Sequence, residues 1–128
     1  MAKTAHNDVF DAALDKIATA NKMIACSAQP TTRTEAITTY ALSDVTMTPG
    51  DGNGDFTIAD NGSDGRKLTI AAQLDIDVDA AGGAAYIALV DSTDLLFVTT
   101  GNSLSVEAGE IISFPAWEIR LLDPDDVL

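Results

Sequence analysis

The densest group of potential metal ligands is the segment DGNGD at residues 51–55. Carboxylate and amide oxygens at alternate positions are ligands that a hard cation such as calcium prefers. The helix–loop–helix calcium motif also requires Gly at its sixth position and Glu at its twelfth, where this chain has Phe56 and Gly62. A solvated hairpin loop is therefore the alternative to a metal site here. The weak candidate ligands are Asp51, Asn53 and Asp55.

Three further carboxylates alternate with apolar residues in the segment 74–79, LDIDVD. Strict alternation predicts a strand with one solvent-exposed face, on which neighbouring carboxylates stand about 6.8 Å apart. Such a row is suited to holding cations or to contacting a basic partner. The alternative is an edge strand charged against unwanted pairing. The carboxylates are Asp75, Asp77 and Asp79, and the apolar residues of the opposite face are Leu74, Ile76 and Val78.

The remaining reactive side chains do not form a recognisable catalytic group. His6 and Cys26 are the only residues of their types, and a nucleophile and its base must lie within hydrogen-bond reach. His6 falls near the N-terminus and Cys26 in a predicted buried strand. No glycine-rich phosphate loop with its Lys and no Ser-centred elbow is present. We therefore predict a non-enzymatic protein without catalytic residues or cofactor, in which Trp117 is either a partner contact or a core residue.

An amphipathic helix is predicted to precede the strands. Asn7 is a plausible N-cap, and Asp8 and Asp11 lie in the first turn, where the helix dipole favours negative charge. Apolar residues then recur at helical spacing along one face, namely Phe10, Ala13, Leu14, Ile17 and Ala18. A short amphipathic helix must cover an apolar surface, either of its own domain or of a neighbouring subunit.

Short apolar or alternating runs, separated by turn residues, predict a series of β-strands. A helical turn is predicted between Thr34 and Tyr40, with a strand as the alternative for this Thr-rich stretch, and Gly82-Gly83 is predicted to turn the chain. The runs at 85–90 and 95–100 are almost continuously apolar and predict central strands that are covered on both faces. The other predicted strands are 23–27, 56–59, 66–72, 74–79, 103–106, 111–114 and 116–121.

This spacing predicts a mainly-β fold, an antiparallel β-sandwich or small barrel with an N-terminal α-helix. No helix-length segment separates the later strands, which argues against a parallel α/β sheet. The whole chain, residues 1–128, is predicted to be one domain. It comprises an N-terminal arm and helix at 1–22, the β-sandwich or barrel at 23–122 and an acidic tail at 123–128.

Composition limits the classes of protein and partner. The chain has 128 residues, 46% hydrophobic and 21% charged, which is typical of a folded domain. A net charge of −13 disfavours nucleic acid as a partner. The single Cys does not require an oxidising compartment. The apolar runs are far shorter than the ~20 residues of a membrane span, and the polar N-terminal residues do not resemble a secretion signal.

Several segments resemble a group of small tailed-bacteriophage virion proteins. The resemblance covers roughly two-thirds of the chain and lies within residues 23–51, 86–100 and 114–124, together with the GRK sequence at 65–67. The segments that carry it are CSAQPTT at 26–32, YALSDV at 40–45, IALVD at 87–91, LLFVTT at 95–100 and PAWEI at 115–119. None of these is a catalytic motif, so the resemblance implies a kind of protein and transfers no site.

The resemblance implies a virion structural protein, and the role we expect is a capsid decoration or cement protein. Its partners are then the major capsid protein and further copies of itself, with a trimer favoured because capsid lattices offer local threefold positions. Its location is the capsid exterior, after assembly in the cytoplasm of the bacterial host. A tail or head–tail connector protein is the first alternative, and a calcium- or glycan-binding β module is the second.

Overall fold

The structure is a computed structural model that describes residues 5–124, and its first element is helix α1, Asn7–Ile17. The N-cap is His6, whose Nδ1 accepts a hydrogen bond from the backbone N–H of Asp8. Asn7, the predicted N-cap, is thus the first residue of the helix instead. Leu14 is completely buried and anchors the apolar face of α1 against strands β3, β4 and β7, whose bounds follow. No helix in the described chain has the length and hydropathy needed to cross a membrane.

Nine strands follow α1 within residues 5–124, and all of their ladder pairings are antiparallel. They form a four-stranded sheet with the order β2-β1-β6-β7, a three-stranded sheet β3-β4-β9 and a two-stranded sheet β5-β8. The strands are β1 Lys22–Cys26, β2 Ala41–Thr46, β3 Phe56–Asp60, β4 Arg66–Ile70, β5 Gln73–Asp77, β6 Gly82–Val90, β7 Leu95–Val106, β8 Ile111–Phe114 and β9 Trp117–Leu121. The predicted mainly-β antiparallel fold with an N-terminal helix is confirmed.

The main core lies between the four-stranded and three-stranded sheets. Alternation along β1 directs Met23 and Ala25 into this core and Ile24 and Cys26 to the opposite face of the sheet. The other completely buried members of the main core include Leu14, Phe56, Leu68, Ile70 and Leu89.

A π-helical turn, Glu35–Thr39, covers the opposite face of the four-stranded sheet. It occurs within the predicted helical segment, but Thr34 makes no side-chain cap; the N–H of Glu35 is bonded instead by Thr32 Oγ1. The prediction that 85–90 is a central strand is confirmed for β6, but the predicted cover on both faces holds only for the buried residues 88–90, since residues 85–87 are partly exposed. The prediction of a central strand is wrong for 95–100, because β7 is the edge strand of the same sheet.

The chain after β5 differs from the prediction in two places. Gly82-Gly83 does not turn the chain but begins β6, and residues 95–106 form one strand rather than two. Each difference has the same cause. Gly82 and Gly83 pair with Val106 and Ser105, so hydrogen bonding to a neighbouring strand extends both segments through residues with weak strand propensity.

The predicted strands at 56–59 and 66–72 correspond to β3 and β4, which form a hairpin with Phe56 paired to Ile70 and Asp60 paired to Arg66. Gly65, in the connecting loop, has a φ of +79°, and a Cβ atom there would collide with the backbone oxygen of Leu121. Only glycine permits both this conformation and this close approach to the end of β9.

Candidate functional site

The loop at residues 51–55 is held by its own polar side chains. Asp51 Oδ1 accepts a hydrogen bond from Ile58 N at 2.9 Å, and Asn53 Nδ2 donates to Pro49 O at 2.8 Å. The two oxygens of Asp55 accept from Thr48 N and from Gln73 Nε2. Asn53 and Asp55 therefore bond to the chain just before the loop, and Asp51 and Asp55 bond to residues that follow it. Within residues 5–124, no group of three or more His, Cys, Asp or Glu side chains is arranged to hold a metal ion.

The predicted row of three carboxylates is interrupted by a β-bulge. Gln73 pairs with Phe114 and Ile76 with Ile112, so this stretch of β5 contains one residue more than the stretch of β8 that it pairs with. Asp75 adopts the left-handed region with φ 56°, which Asp tolerates better than most residues. The bulge shifts the alternation by one residue. Leu74, predicted to face the core, is consequently 67% exposed.

The carboxylates of this segment nevertheless share one end of the molecule. Strand β5 ends at Asp77, and Asp79 follows it, with Val78 buried between these two exposed residues. Val78 N donates to Glu110 O, and Gly109 N donates to Val78 O, so the β7–β8 turn lies against this segment. Ile111, opposite Asp77, is 61% exposed. We call this surface the acidic end; it comprises Leu74, Asp75, Asp77, Asp79, Glu107, Glu110 and Ile111.

The cations of the described chain are all engaged elsewhere. Arg66, for example, binds both Asp11 and Asp60 at 2.9 Å, and these contacts raise the pKa of its guanidinium. Arg33 Nε donates to the backbone oxygen of Asp91. The remaining described cations, each paired with a carboxylate, are Lys16, Lys22, Lys67 and Arg120. Within residues 5–124, the carboxylates of the acidic end therefore contact no Lys or Arg side chain.

The carboxylates with a lowered pKa have structural roles. Hydrogen bonds from the backbone N–H groups of Thr93 and Asp94 lower the pKa of Asp91, which closes the β6–β7 turn. The backbone and side chain of Thr31 likewise lower the pKa of Glu35 at the start of the π-helical turn. These groups are stabilised in the ionised form by structural hydrogen bonds.

His6 and Cys26 occupy unrelated positions. His6 caps the exposed start of α1, whereas Cys26 is completely buried beneath the π-helical turn, where its Sγ contacts Ala36 O at 3.6 Å. Burial raises the pKa of the Cys26 thiol to about 11, which disfavours the nucleophilic thiolate. The two side chains form no nucleophile–base pair.

Trp117 lies in the wall of an open groove of about 680 Å³. Its ring packs against Phe97, with centroids 6.0 Å apart and an angle of 35° between the ring planes. It is partly buried and packs against the main core, which is one of the two roles that the sequence left open. Its predicted contact with a partner stays a prediction.

The groove lies where the inner face of the four-stranded sheet carries small side chains. Met23, Leu89 and Phe97 pair across β1, β6 and β7 and fill the interior at one end, whereas the corresponding positions toward the other end are Ala25, Ile87 and Thr99, so that β1 and β7 contribute small side chains there. The remaining lining comes from β6, β7 and the β8–β9 segment, namely Ala84, Thr100, Gly101, Ser103, Leu104, Ile112, Ser113, Phe114 and Pro115. None of the lining residues is charged.

The sequence pattern did not predict the groove or the exposure of Leu74 and Ile111. Ala25 and Thr99 are far apart in the chain and come to lie on either side of Ile87 only through pairing of β1, β6 and β7. The one available signal was the absence of charge from all twelve residues of β7.

No protein-family model, curated protein or solved structure matches this chain.

Proposed function

We propose that this chain is a non-enzymatic structural protein of a tailed-bacteriophage virion, which binds the outer surface of the major capsid protein lattice and stabilises the head. The sequence resemblance provides the class of protein. The observation that carries the proposal is the acidic end, where exposed apolar side chains stand among carboxylates with no cation of the described chain to neutralise them.

The acidic end has the chemistry of a protein-binding surface. Leu74 and Ile111, 67% and 61% exposed, offer apolar area, and the surrounding carboxylates favour a basic partner surface. Each contact of this kind is weak alone. Repetition over a lattice multiplies weak contacts, because a copy held at one point is presented to its neighbours at high effective concentration. Decoration of a capsid requires this kind of avidity.

The net charge fits the capsid exterior better than its interior. A chain with a charge of −13 is repelled by packaged nucleic acid and keeps particles that carry it dispersed. The groove adds no acid or base, since its lining contains only apolar, hydroxyl-bearing and glycine residues. This supports a binding role over hydrolytic chemistry.

The proposal is tested by sedimenting the purified protein with phage capsids that lack it. We expect the protein to sediment with the capsids and to raise their resistance to heat. Replacement of both Asp77 and Asp79 by Asn should weaken binding at least about threefold at low ionic strength, with a smaller effect at high salt. Asp15→Asn, an exposed carboxylate on α1, is the matched control and should bind normally.

Capsids that neither bind the protein nor gain heat resistance from it would contradict the capsid role. A low-resolution map of the intact particle distinguishes the tail alternative. Density at repeated positions over the head supports the proposal, and density restricted to rings on the tail axis supports a tail or connector protein instead.

A further inference from the structure

The second half of β7 lacks the cover that a strand in a sandwich normally has. Alternate residues of such a strand face the core, yet Gly101, Ser103, Leu104 and Ser105 are all exposed. Leu104 is 52% exposed. Both faces of this stretch are therefore open to solvent.

The outer edge of β7 is also open. β7 is the last strand of its sheet, and within residues 5–124 its backbone makes no hydrogen bond except to β6. Between the pairs Tyr86↔Thr100 and Ala84↔Leu104 it contains two more residues than β6, so it bulges at this point. Leu104, just beyond the bulge, forms the lip of the groove.

Natural proteins usually protect such an edge with charge, and the edge strands here differ in this respect. β9 contains Glu118 and Arg120, and β2 contains Asp44. The edge of β2 is also bonded by the following chain, because Asp79 N donates to Leu42 O. β7 has no charged residue in twelve positions, and the groove beside it has none either.

The absence of charge from the β7 edge and the groove indicates which kind of partner binds there. Two copies that each carry −13 repel one another wherever carboxylates meet, so their contact must use a surface without carboxylates. The β7 edge and the groove form such a surface. A basic partner would gain more at the acidic end, where its charge is complemented. A second copy of this chain is therefore the occupant that the charge distribution favours.

We infer that copies of this chain associate through the β7 edge, with Leu104 and the adjoining serines of one copy seated in the groove of the next. Trp117, Ile87 and Ile112 then surround the incoming leucine. A groove of about 680 Å³ has the size of sites that hold a drug-sized molecule, which is sufficient for a short extended segment. The contact between copies is argued independently of the proposed function. Only the role of the resulting oligomer rests on that proposed function.

Sedimentation equilibrium of the purified protein, over a range of concentrations, tests this inference. We expect a mass that is a multiple of 13.3 kDa, and a closed assembly of either two or three copies agrees with the proposed contact. Leu104→Glu places a carboxylate in the groove of the neighbour and should weaken association at least about tenfold. Because Leu104 is half-exposed, we expect this variant to remain folded, which its melting temperature verifies.

Two further variants separate the contact from general effects of charge or folding. Leu122→Glu also introduces a carboxylate at an exposed leucine, but this leucine follows the end of β9 beside Gly65 and is not part of the groove lining, so the variant should associate almost as the unaltered protein does. Thr99→Phe fills the groove from within and should prevent association without lowering the melting temperature. A protein that is monomeric at every concentration, or a Leu104→Glu variant that associates normally, overturns the inference.

The outcome is independent of the capsid experiment. A monomer that binds capsids contradicts the β7 contact and leaves the proposed function intact. An oligomer dissociated by Leu104→Glu that does not bind capsids supports the contact and contradicts the proposed function.

Discussion

The two ends of the main interior are built from the same three strands and differ in the size of their side chains. At the filled end, β1, β6 and β7 contribute Met23, Leu89 and Phe97, which pack against the three-stranded sheet. At the groove, the next inward-facing positions of the same strands are Ala25, Ile87 and Thr99, two of which are small. Regular pairing of the three strands at both positions thus accompanies a filled core at one and a wall of an open groove at the other, because pairing does not depend on side-chain volume.

Edge strands of the two larger sheets show a similar contrast, in their charge. Glu118 on β9 binds Lys67 of the neighbouring strand and Arg120 of its own, whereas β7 has no charged residue. The filled end and the charged edge are complete within one chain. The groove and the uncharged edge are not, and this contrast is the basis for assigning them to contact with another copy.

Truncation of a leucine should have the largest effect and should differ most between the two ends. Leu68→Ala removes a completely buried side chain and should lower the free energy of unfolding by about 2–5 kcal/mol. Leu104→Ala removes a side chain that is 52% exposed and should change the free energy of unfolding by no more than about 0.5 kcal/mol. Urea denaturation of dilute protein measures both. Equal losses would mean that Leu104 is part of the monomer core.

Enlargement of an alanine should have an intermediate effect. Ala88 and Ala84 both lie in β6, but Ala88 is completely buried beneath the π-helical turn and Ala84 lines the groove. Ala88→Val should cost about 1–3 kcal/mol through overpacking. Ala84→Val has room and should be neutral or slightly stabilising, since Val favours strands. A similar cost at both positions, measured by urea denaturation, would indicate that the groove is closed in solution.

Removal of the Glu118 charge should have the smallest effect, and that effect depends on pH. Hydrogen bonds from Lys67 and Arg120 hold the pKa of Glu118 below its usual value of 4.5. A lowered pKa in the folded state contributes stability above the unfolded pKa, and this contribution is lost as the pH falls through the folded value. Glu118→Gln should therefore melt at a lower temperature than the unaltered protein at pH 7, and the difference should disappear in acid.

Glu107→Gln is the control for this comparison. Within residues 5–124 its carboxylate makes no ion pair, so its replacement should not change the melting temperature in the same pH-dependent way. A constant difference for Glu118→Gln between neutral and acidic pH would show that packing of the side chain, rather than the ion pair, accounts for its effect.

The carboxylate positions show how far local pattern is informative. Alternation correctly predicted that Asp75, Asp77 and Asp79 are exposed, but it also predicted that Leu74 faces the core. The bulge opposite Ser113 reverses that assignment, and nothing in the residues LDID distinguishes a bulged strand from a regular one. The register depends on the partner strand, β8, which lies more than thirty residues further along the chain.

The loop at 51–55 shows a second limit. Its composition indicated a turn correctly, and oxygen-rich side chains there suggested cation ligands. Which atoms those oxygens meet depends on Thr48, Ile58 and Gln73, which folding brings to the loop. Donors of the chain itself bind Asp51 Oδ1 and both carboxylate oxygens of Asp55.

By itself, the sequence determined the class of fold, the helix, most of the strands and the acidic character of the surface, because periodicity and charge are local or additive properties. Only the tertiary structure decided that β7 is an edge, that Leu74 and Ile111 are exposed and that uncharged residues from β1, β6, β7, β8 and β9 line one groove. These features arise from pairing between distant segments, and a strand's own residues do not specify which neighbour it lacks.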